Sequence, residues 1–450
     1  MKKSLILIIS LILSVSWAHA FEKDGIHYTI IDGEAVVINA NQEDKVTAIE
    51  YVYNHESEKI SYSENGYEGD IVIPASVEYG GQTYPVTGIA HWAFARTEKI
   101  TSVSIPEGIK HIGCACFYNN WGVASLDFPN SVEKIGSYAC AEMKSLARAR
   151  LPERLDTIPI YMFYSLEVDG RFGAPLKEVV MPKSCKVIGG SSFQCQRNLE
   201  TCVLPEDVEV IDVASFYACK KLKLTLPASI KYIGEQAFNY SPSPVNQTIW
   251  DNLQLQPGSF WGAKGWKRLS IPERITTIPD ECFYACSNIE TLEFNASLDT
   301  IGARSFYHLD NLKAVILPAS ILYLGELAFM DCKKLSTVYA RMKNPPYLKN
   351  KEFGYNGPNT PDAVVYVPVG CKENYERAGW GKYFVQIIEM EVAEQKQEFD
   401  KIATGISTVK ADDGVKPSGW YDLQGRRLTE PRKGVNIIRY NDGTARKVLK

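Results

Sequence analysis

The sequence has no block of lysine and arginine residues and, after its first twenty residues, no apolar run of membrane-spanning length. Its formal net charge is −4, so the chain is mildly acidic. Nucleic acids and anionic membranes are bound by basic patches, and we therefore expect neither as a partner. A bilayer needs about 18 consecutive apolar residues to be crossed, so we expect no transmembrane segment in the mature chain.

Recognisable catalytic motifs are also missing. The chain has six histidines, and none lies beside a nucleophile in an elbow-type sequence. We find no phosphate-binding loop, no dinucleotide fingerprint and no His-Glu-x-x-His motif. The sequence therefore predicts a non-enzymatic protein without a cofactor, and a hydrolase built from carboxylates of different repeats is a distant alternative. The spacing His111-x-x-Cys114-x-Cys116 resembles a metal site, but no fourth ligand is near, so we favour a core role for Cys116 and predict no metal.

The N-terminus has the pattern of a secretory signal peptide. Lys2 and Lys3 precede a short apolar run, and Ala18-His19-Ala20 matches a cleavage site with small residues. The pattern predicts that residues 1–20 are a signal peptide, that the mature chain begins at Phe21, and that the protein is exported to the outer cell surface or the extracellular space.

One phrase recurs along the chain: Ile-Pro-x-x-Val-x-x-Ile-Gly-x-x-Ala-Phe. Clear copies run over 105–117, 226–238 and 317–329. We call its last residue the register position; it is occupied by Phe94, Phe117, Cys140, Phe163, Phe193, Phe216, Phe238, Phe260, Phe283, Phe306 and Phe329. The spacing is 22 or 23 residues in every interval except one of 30, which holds an insertion near Glu167 to Pro175. A period of about 20–29 residues predicts a stacked solenoid, here with about eleven units of about 23 residues.

The residues of the phrase have distinct structural roles. Alternation in Val103-Ser104-Ile105 predicts a short strand, and Pro106 ends it because proline cannot donate a ladder hydrogen bond. The glycine of the phrase, as at Gly113, is expected to allow a tight corner. Single coils cannot bury their apolar side chains, whereas stacked coils form a continuous core. We therefore predict a mainly β solenoid.

Segments that lack the phrase suggest the remaining organisation. Residues 21–85 alternate like strands and contain turns such as Gly80-Gly81, which predicts a β-rich cap. The solenoid and its C-terminal cap are predicted over 86–390, and the polar stretch 391–418 is interpreted as a linker. Strand-length segments around Asn441-Asp442-Gly443 predict that 419–450 is a small C-terminal β-hairpin module.

Eight of the eleven cysteines fall at positions where the repeat needs a small apolar residue. These are Cys116, Cys140, Cys185, Cys202, Cys219, Cys282, Cys286 and Cys332. Cysteines at one repeat position in units two apart would be separated by nearly 10 Å, beyond the roughly 7 Å limit between Cα atoms for a disulfide. Cys116 and Cys140 lie in adjacent units and could meet, but buried thiols are the favoured interpretation.

The phrase, continued to Cys-x-x-Leu as at Cys332 to Leu335, resembles the BspA-like leucine-rich repeats of bacterial surface proteins. The resemblance covers roughly residues 86–390, including 366–372. It implies exposure outside the cell and adhesion to host or microbial proteins. The tail from Trp420 resembles the C-terminal domains of exported Bacteroidetes-type proteins, including the type IX sorting-like class, although Asn436 stands where that class often has an aromatic residue.

Two solvent-facing sets of residues are candidates for binding an extracellular protein or, alternatively, a glycan. The first is the outward face of the repeat strands, where Arg148, Arg150 and Arg268 are candidate contacts. The second follows the register position directly, and we call it the aromatic stripe: Tyr118, Tyr164, Tyr217, Trp261, Tyr284 and Tyr307. Such rings could bind a partner, but packing between coils is the favoured interpretation. The insertion near Glu167 is a third candidate.

Overall fold

The computed structural model describes residues 20–40, 66–166, 175–242, 253–349, 351–354, 360–404, 417–422, 426–432, 435–440 and 445–449. It forms two compact units, Met1–Pro227 and Ala228–Lys450, here called unit 1 and unit 2. Each unit is built from stacked β coils, so the predicted mainly β solenoid is confirmed. Most of the predicted signal peptide, most of the insertion near Glu167, and the turn at 441–443 lie outside the described residues.

A β-rich cap precedes the first repeat of unit 1, as predicted. Its strands are β1 Phe21–Lys23, β2 Ile26–Ile31, β3 Glu34–Val37, β4 Gly69–Val72, β5 Ser76–Tyr79 and β6 Gln82–Ile89. Strands β1 to β3 form an antiparallel meander, and β5 and β6 pair antiparallel around Gly80 and Gly81, whose φ angles are 60° and 78°. Strand β6 then pairs in parallel with the repeat strand β8 (His111–Ile112), so the cap continues directly into the coils.

Each coil of unit 1 contributes two short strands. The first set is β7 Ile100–Ser104, β9 Ser125–Asp127, β11 Arg148–Arg150, β13 Glu178–Val180 and β15 Thr201–Cys202. The second set comprises β8 together with β10 Lys134–Ile135, β12 Thr157–Ile158, β14 Val187–Ile188 and β16 Val210–Ile211. Within the first set, β9, β11, β13 and β15 pair in parallel and in register. Ala149 points into the core while Arg150 is exposed, which is the alternation that the sequence predicts.

Unit 2 repeats this arrangement. Its first set of strands is β18 Arg268–Ser270, β20 Thr291–Glu293, β22 Ala314–Leu317, β24 Thr337–Ala340, β25 Val364–Val367 and β26 Gln386–Glu389, all paired in parallel. Its second set is β17 Tyr232–Ile233, β19 Thr277–Ile278, β21 Thr300–Ile301 and β23 Tyr323–Leu324. Between β25 and β26 lie helix α1 (Lys372–Arg377) and a 3-10 turn (Trp380–Lys382), and helix α2 (Val392–Thr404) follows.

The register phenylalanines form the centre of both cores. In unit 2, Phe283 stacks on Phe260 and Phe306 with ring centroids 5.5 and 5.4 Å apart, which is close to the spacing of about 4.8 Å between strands. The column extends beyond the last predicted unit, since Phe329 stacks on Phe353 at 5.2 Å. Phe353 is therefore a register position that sequence reasoning missed. It lies 24 residues after Phe329, which was the available signal.

Tight turns carry the register residues from coil to coil. Around Phe117, Ala115 and Asn119 adopt left-handed backbone with φ of 51° and 56°, and the same positions recur as Gly258 and Gly262 around Phe260. Left-handed backbone is unfavourable for residues other than glycine. The cost of this backbone conformation is compensated by hydrogen bonds to the next coil. The amides of residues 115, 117 and 119 donate to carbonyls of that coil at 2.8, 2.8 and 2.9 Å.

The glycine of the phrase was expected to allow a tight corner, but Gly113 and Gly325 do not use the left-handed backbone that glycine makes accessible. A Cβ atom on Gly113 would lie 2.4 Å from the amide nitrogen of His91, and one on Gly325 would lie 2.4 Å from that of Ala303. Both contacts are with the backbone of the preceding coil and are shorter than any van der Waals contact. Glycine is needed because adjacent coils approach closely at this point.

Helix α2 corrects the interpretation of 391–418 as a polar linker. The helix covers Val392–Thr404, and its Phe399 is fully buried against Ala314 and Ile316 of β22 and Tyr339 of β24. Ile402 and Ala403 pack beside it, so the helix has a short apolar face at i, i+3 and i+4 spacing. Among the described residues, no helix has both the length and the apolarity that crossing a bilayer requires.

The C-terminal module is an antiparallel sheet rather than a lone hairpin. Strands β27 Pro417–Tyr421, β28 Arg427–Leu428, β29 Val435–Tyr440 and β30 Ala445–Leu449 are arranged in the order β28-β27-β29-β30. The predicted hairpin corresponds to β29 and β30. Asn436 is buried, and its side chain exchanges hydrogen bonds of 3.0 and 2.7 Å with the main chain of Arg432. A polar residue is accommodated there because it fixes the preceding loop.

Candidate binding surfaces

The first candidate surface is the strand face of unit 1, which we define as the outward side chains of β9, β11, β13 and β15. Arg148 lies at its centre, donates to Asp127 at 3.1 Å and lies 3.6 Å from Glu178. Arg150 is exposed. Ion pairs at this exposure add little to stability, but they hold the guanidinium of Arg148 in place on the surface. The structure thus brings the predicted residues Arg148 and Arg150 together on one face.

An apolar cleft adjoins these arginines. It has a volume of about 410 Å³ and is lined by Val180, Val203 and Leu204. Val203 directly follows β15 and is 75% exposed. Lys183 and Glu206 contribute a charged rim. Sequence reasoning missed this cleft. The available signal was that valine occupies outward strand positions at which neighbouring coils carry serine, aspartate or arginine.

The equivalent face of unit 2 is not open. Arg268 donates to Glu293 of β20 at 2.9 Å and to Asp400 of α2 at 3.3 Å. Lys396 of α2 adds a bond of 3.1 Å to Glu293. The predicted contact residue Arg268 is therefore engaged by the chain's own helix.

The aromatic stripe packs between coils and remains partly exposed. In unit 2, Tyr284 lies between Trp261 and Tyr307, with centroids 4.4 and 5.0 Å away. All six rings of the stripe are half-buried. In unit 1, Tyr118 packs edge-on against Trp92 at 5.3 Å, and Tyr164 packs against Tyr161 at 5.5 Å. Sequence reasoning missed Trp92 and Tyr161, which lie two residues before the register position.

Ten of the eleven cysteines are buried, and Cys195 is partly exposed. None of the eleven forms a disulfide. The eight that the repeat assigned to the core are buried, as predicted. Burial raises the pKa of Cys185 to about 11 and that of Cys202 to about 12, so these thiols are not nucleophiles at neutral pH. Within the described ranges, no group of three or more His, Cys, Asp or Glu side chains could hold a metal ion.

Comparison with known proteins agrees with this architecture. A family model described as the BspA type leucine rich repeat region matches in six copies over residues 81–169, 172–262 and 254–355, more than half of the chain. The chain belongs to this family. No curated protein matched the sequence.

Solved structures of bacterial repeat proteins are similar as well. A leucine-rich repeat protein from Bacteroides ovatus is 19% identical over 82% of this chain and 100% of its own, with a TM-score of 0.51. A leucine rich cell surface protein from Faecalibacterium prausnitzii is 18% identical over 84% and 96%, with a TM-score of 0.43. The pneumococcal vaccine antigen PcpA is 17% identical over 83% and 99%, with a TM-score of 0.45. The first of these likenesses shows a shared fold.

Proposed function

We propose that this protein is an exported, non-catalytic cell-surface protein that binds host or microbial proteins through the strand face of unit 1. The observation that carries the proposal is the open surface formed by Arg148, Arg150 and the cleft at Val203. Protein interfaces are enriched in arginine and centre on apolar pockets with a polar rim, and this face combines both features.

Two further observations support export and a binding role. The pattern of Lys2, Lys3 and Ala18-His19-Ala20 is typical of a signal peptide. Membership of the BspA-type family favours a surface or secreted repeat protein that acts by interaction. Burial raises the pKa of the Cys185 and Cys202 thiols, and this argues against catalysis by either cysteine.

The test is binding of the purified mature chain to arrays of extracellular and bacterial surface proteins. We expect at least one protein to bind, and the double substitution Arg148→Gln with Arg150→Gln to weaken that binding by at least about tenfold, or 1.4 kcal/mol. The matched control, Arg377→Gln with Arg432→Gln, removes two exposed arginines of unit 2 and should leave binding unchanged. Equal binding by both double variants would contradict the assignment of the surface.

A glycan-binding module is the second candidate function. It is favoured by one observation, the partly exposed ladder of Trp261, Tyr284 and Tyr307, because tyrosine and tryptophan side chains have an apolar body and a polar group that can contact a sugar. A glycan array provides the test, with Tyr217→Ala and Tyr284→Ala as variants. Loss of glycan binding in these variants would support the module, and unchanged binding would remove the aromatic stripe from consideration.

A further inference from the structure

Unit 2 shows how a helix is held on a strand face of this solenoid. Helix α2 inserts Phe399 against Ile316 of β22, while the neighbouring Asp400 pairs with Arg268 of β18 at 3.3 Å. Arg268 is also held by Glu293 of the intervening strand β20. The docking set is therefore an arginine, a carboxylate on the next strand and an aliphatic side chain two strands away.

The arginine and the aliphatic side chain of this set recur at the same repeat positions in unit 1. Arg148 and Arg268 both lie fifteen residues before their register phenylalanines, Phe163 and Phe283. Val203 and Ile316 likewise both lie thirteen residues before theirs, at positions 216 and 329. The strands are again two apart, because β11 pairs with β13 and β13 pairs with β15.

In both units the arginine also pairs with a carboxylate on the next strand, although the two carboxylates occupy different register positions. Glu178 lies opposite Arg148, 3.6 Å away, whereas Glu293 lies opposite Ser270 and 2.9 Å from Arg268. The two sites differ in what covers them. Ile316 is 2% exposed beneath α2, whereas Val203 is 75% exposed beside the cleft of about 410 Å³. Unit 1 therefore presents in open form a surface that is filled by a helix in unit 2.

We infer that the strand face of unit 1 binds an amphipathic helix of a partner protein, with an aromatic side chain in the Val203 cleft and an adjacent acidic side chain paired with Arg148. This inference rests on the proposed function and specifies the chemistry of the partner. The acid complements Arg148, which lies on this face together with the exposed Arg150. The aromatic ring covers apolar surface whose removal from water is favourable by about 25 cal/mol per Å².

A peptide with the sequence of residues 390–404 tests the inference, since it carries the Phe399-Asp400 pair. Short helices are marginal in water, so the peptide is stapled between positions 393 and 397, both exposed in α2. Its binding to the intact chain is measured by fluorescence anisotropy. We expect saturable binding that is weakened at least about tenfold by Val203→Asp in the chain, and likewise by an alanine at the aromatic position of the peptide.

Matched controls separate the face from other surfaces. Val213→Asp places the same charge on a side chain that is 45% exposed and lies off the strand face, so it should leave peptide binding unchanged. Equal melting temperatures of the two variants establish that both are folded. Peptide binding that is indifferent to Val203→Asp would mean exchange with α2 in unit 2, and it would overturn the inference.

The remaining outcomes distinguish a failure of the helix inference from a failure of the proposed function. Absence of peptide binding, with protein-array binding intact and sensitive to the arginine substitutions, overturns the helix inference alone. Peptide binding without any array partner supports the inference and contradicts the proposed function. Dimerisation of the unmodified chain that Val203→Asp abolishes would make a second copy the occupant and would overturn the assignment to a partner protein.

Discussion

Replacement of a single register phenylalanine should measure how strongly the stacked core holds the coils together. Phe283 is fully buried and lies between Phe260 and Phe306, with Trp266 edge-on at 6.1 Å. Truncation of a buried phenylalanine to alanine costs about 3–5 kcal/mol, because transfer free energy is lost and a cavity is left. The two stacked ring contacts contribute about 0.5–1.5 kcal/mol each within that loss. We therefore expect Phe283→Ala to lower the free energy of unfolding by about 4 kcal/mol.

Urea unfolding followed by circular dichroism provides the assay. The matched control is Tyr347→Ala, which removes an aromatic ring that is 67% exposed and should change the free energy of unfolding by less than about 0.5 kcal/mol. A loss below about 1 kcal/mol for Phe283→Ala, similar to that of the control, would refute the argument that these rings form a continuous packed column.

Four further predictions concern the coil contacts, helix α2 and the thiols. Gly325→Ala should destabilise the chain by more than about 2 kcal/mol in urea unfolding because the new Cβ meets backbone at 2.4 Å, whereas Gly381→Ala, with open space around it, should be nearly neutral. Phe399→Ala should release α2, and hydrogen exchange over 392–404 should then approach that of an unfolded peptide; unchanged protection would contradict the docking described. Thiol labelling at pH 8 should modify Cys195 alone, and full labelling should require unfolding. Burial raises the pKa of Cys185 from 9.0 to about 11, so between these pH values the thiol is neutral in the folded chain and ionised in the unfolded chain. The contribution of Cys185 to the free energy of unfolding is therefore complete below pH 9 and should be lost as the pH rises toward 11. Unfolding measured as a function of alkaline pH tests this loss.

The repeat could be predicted from the sequence because its signal is summed over many coils. Side chains such as Phe117 and Phe306 recur at a nearly constant interval, and stacking is the arrangement that buries them all. The burial of eight cysteines could be predicted from the same register. Arg148 and Arg150 could likewise be placed on an outward face, since alternation within a three-residue strand determines which side chains point to solvent.

Features that depend on contacts between distant segments could not be predicted in this way. Helix α2 has only Phe399, Ile402 and Ala403 as a clear apolar face, too short a stripe to stand out in a polar sequence. Phe399 packs against β22, far away in the chain, and the ion pair of Arg268 with Asp400 likewise joins distant segments. The role of Gly325 was misassigned because sequence alone does not reveal how closely the preceding coil approaches.

Arginine footprinting tests the central claim most directly. The chain is treated with phenylglyoxal in the absence and presence of a protein that binds on the array, and modification is read by mass spectrometry. We predict that the partner protects Arg148 and Arg150 while Arg377 and Arg432, exposed arginines of unit 2, keep their reactivity. Unchanged modification of Arg148 and Arg150 in the saturated complex would contradict the claim that the strand face of unit 1 is the binding surface.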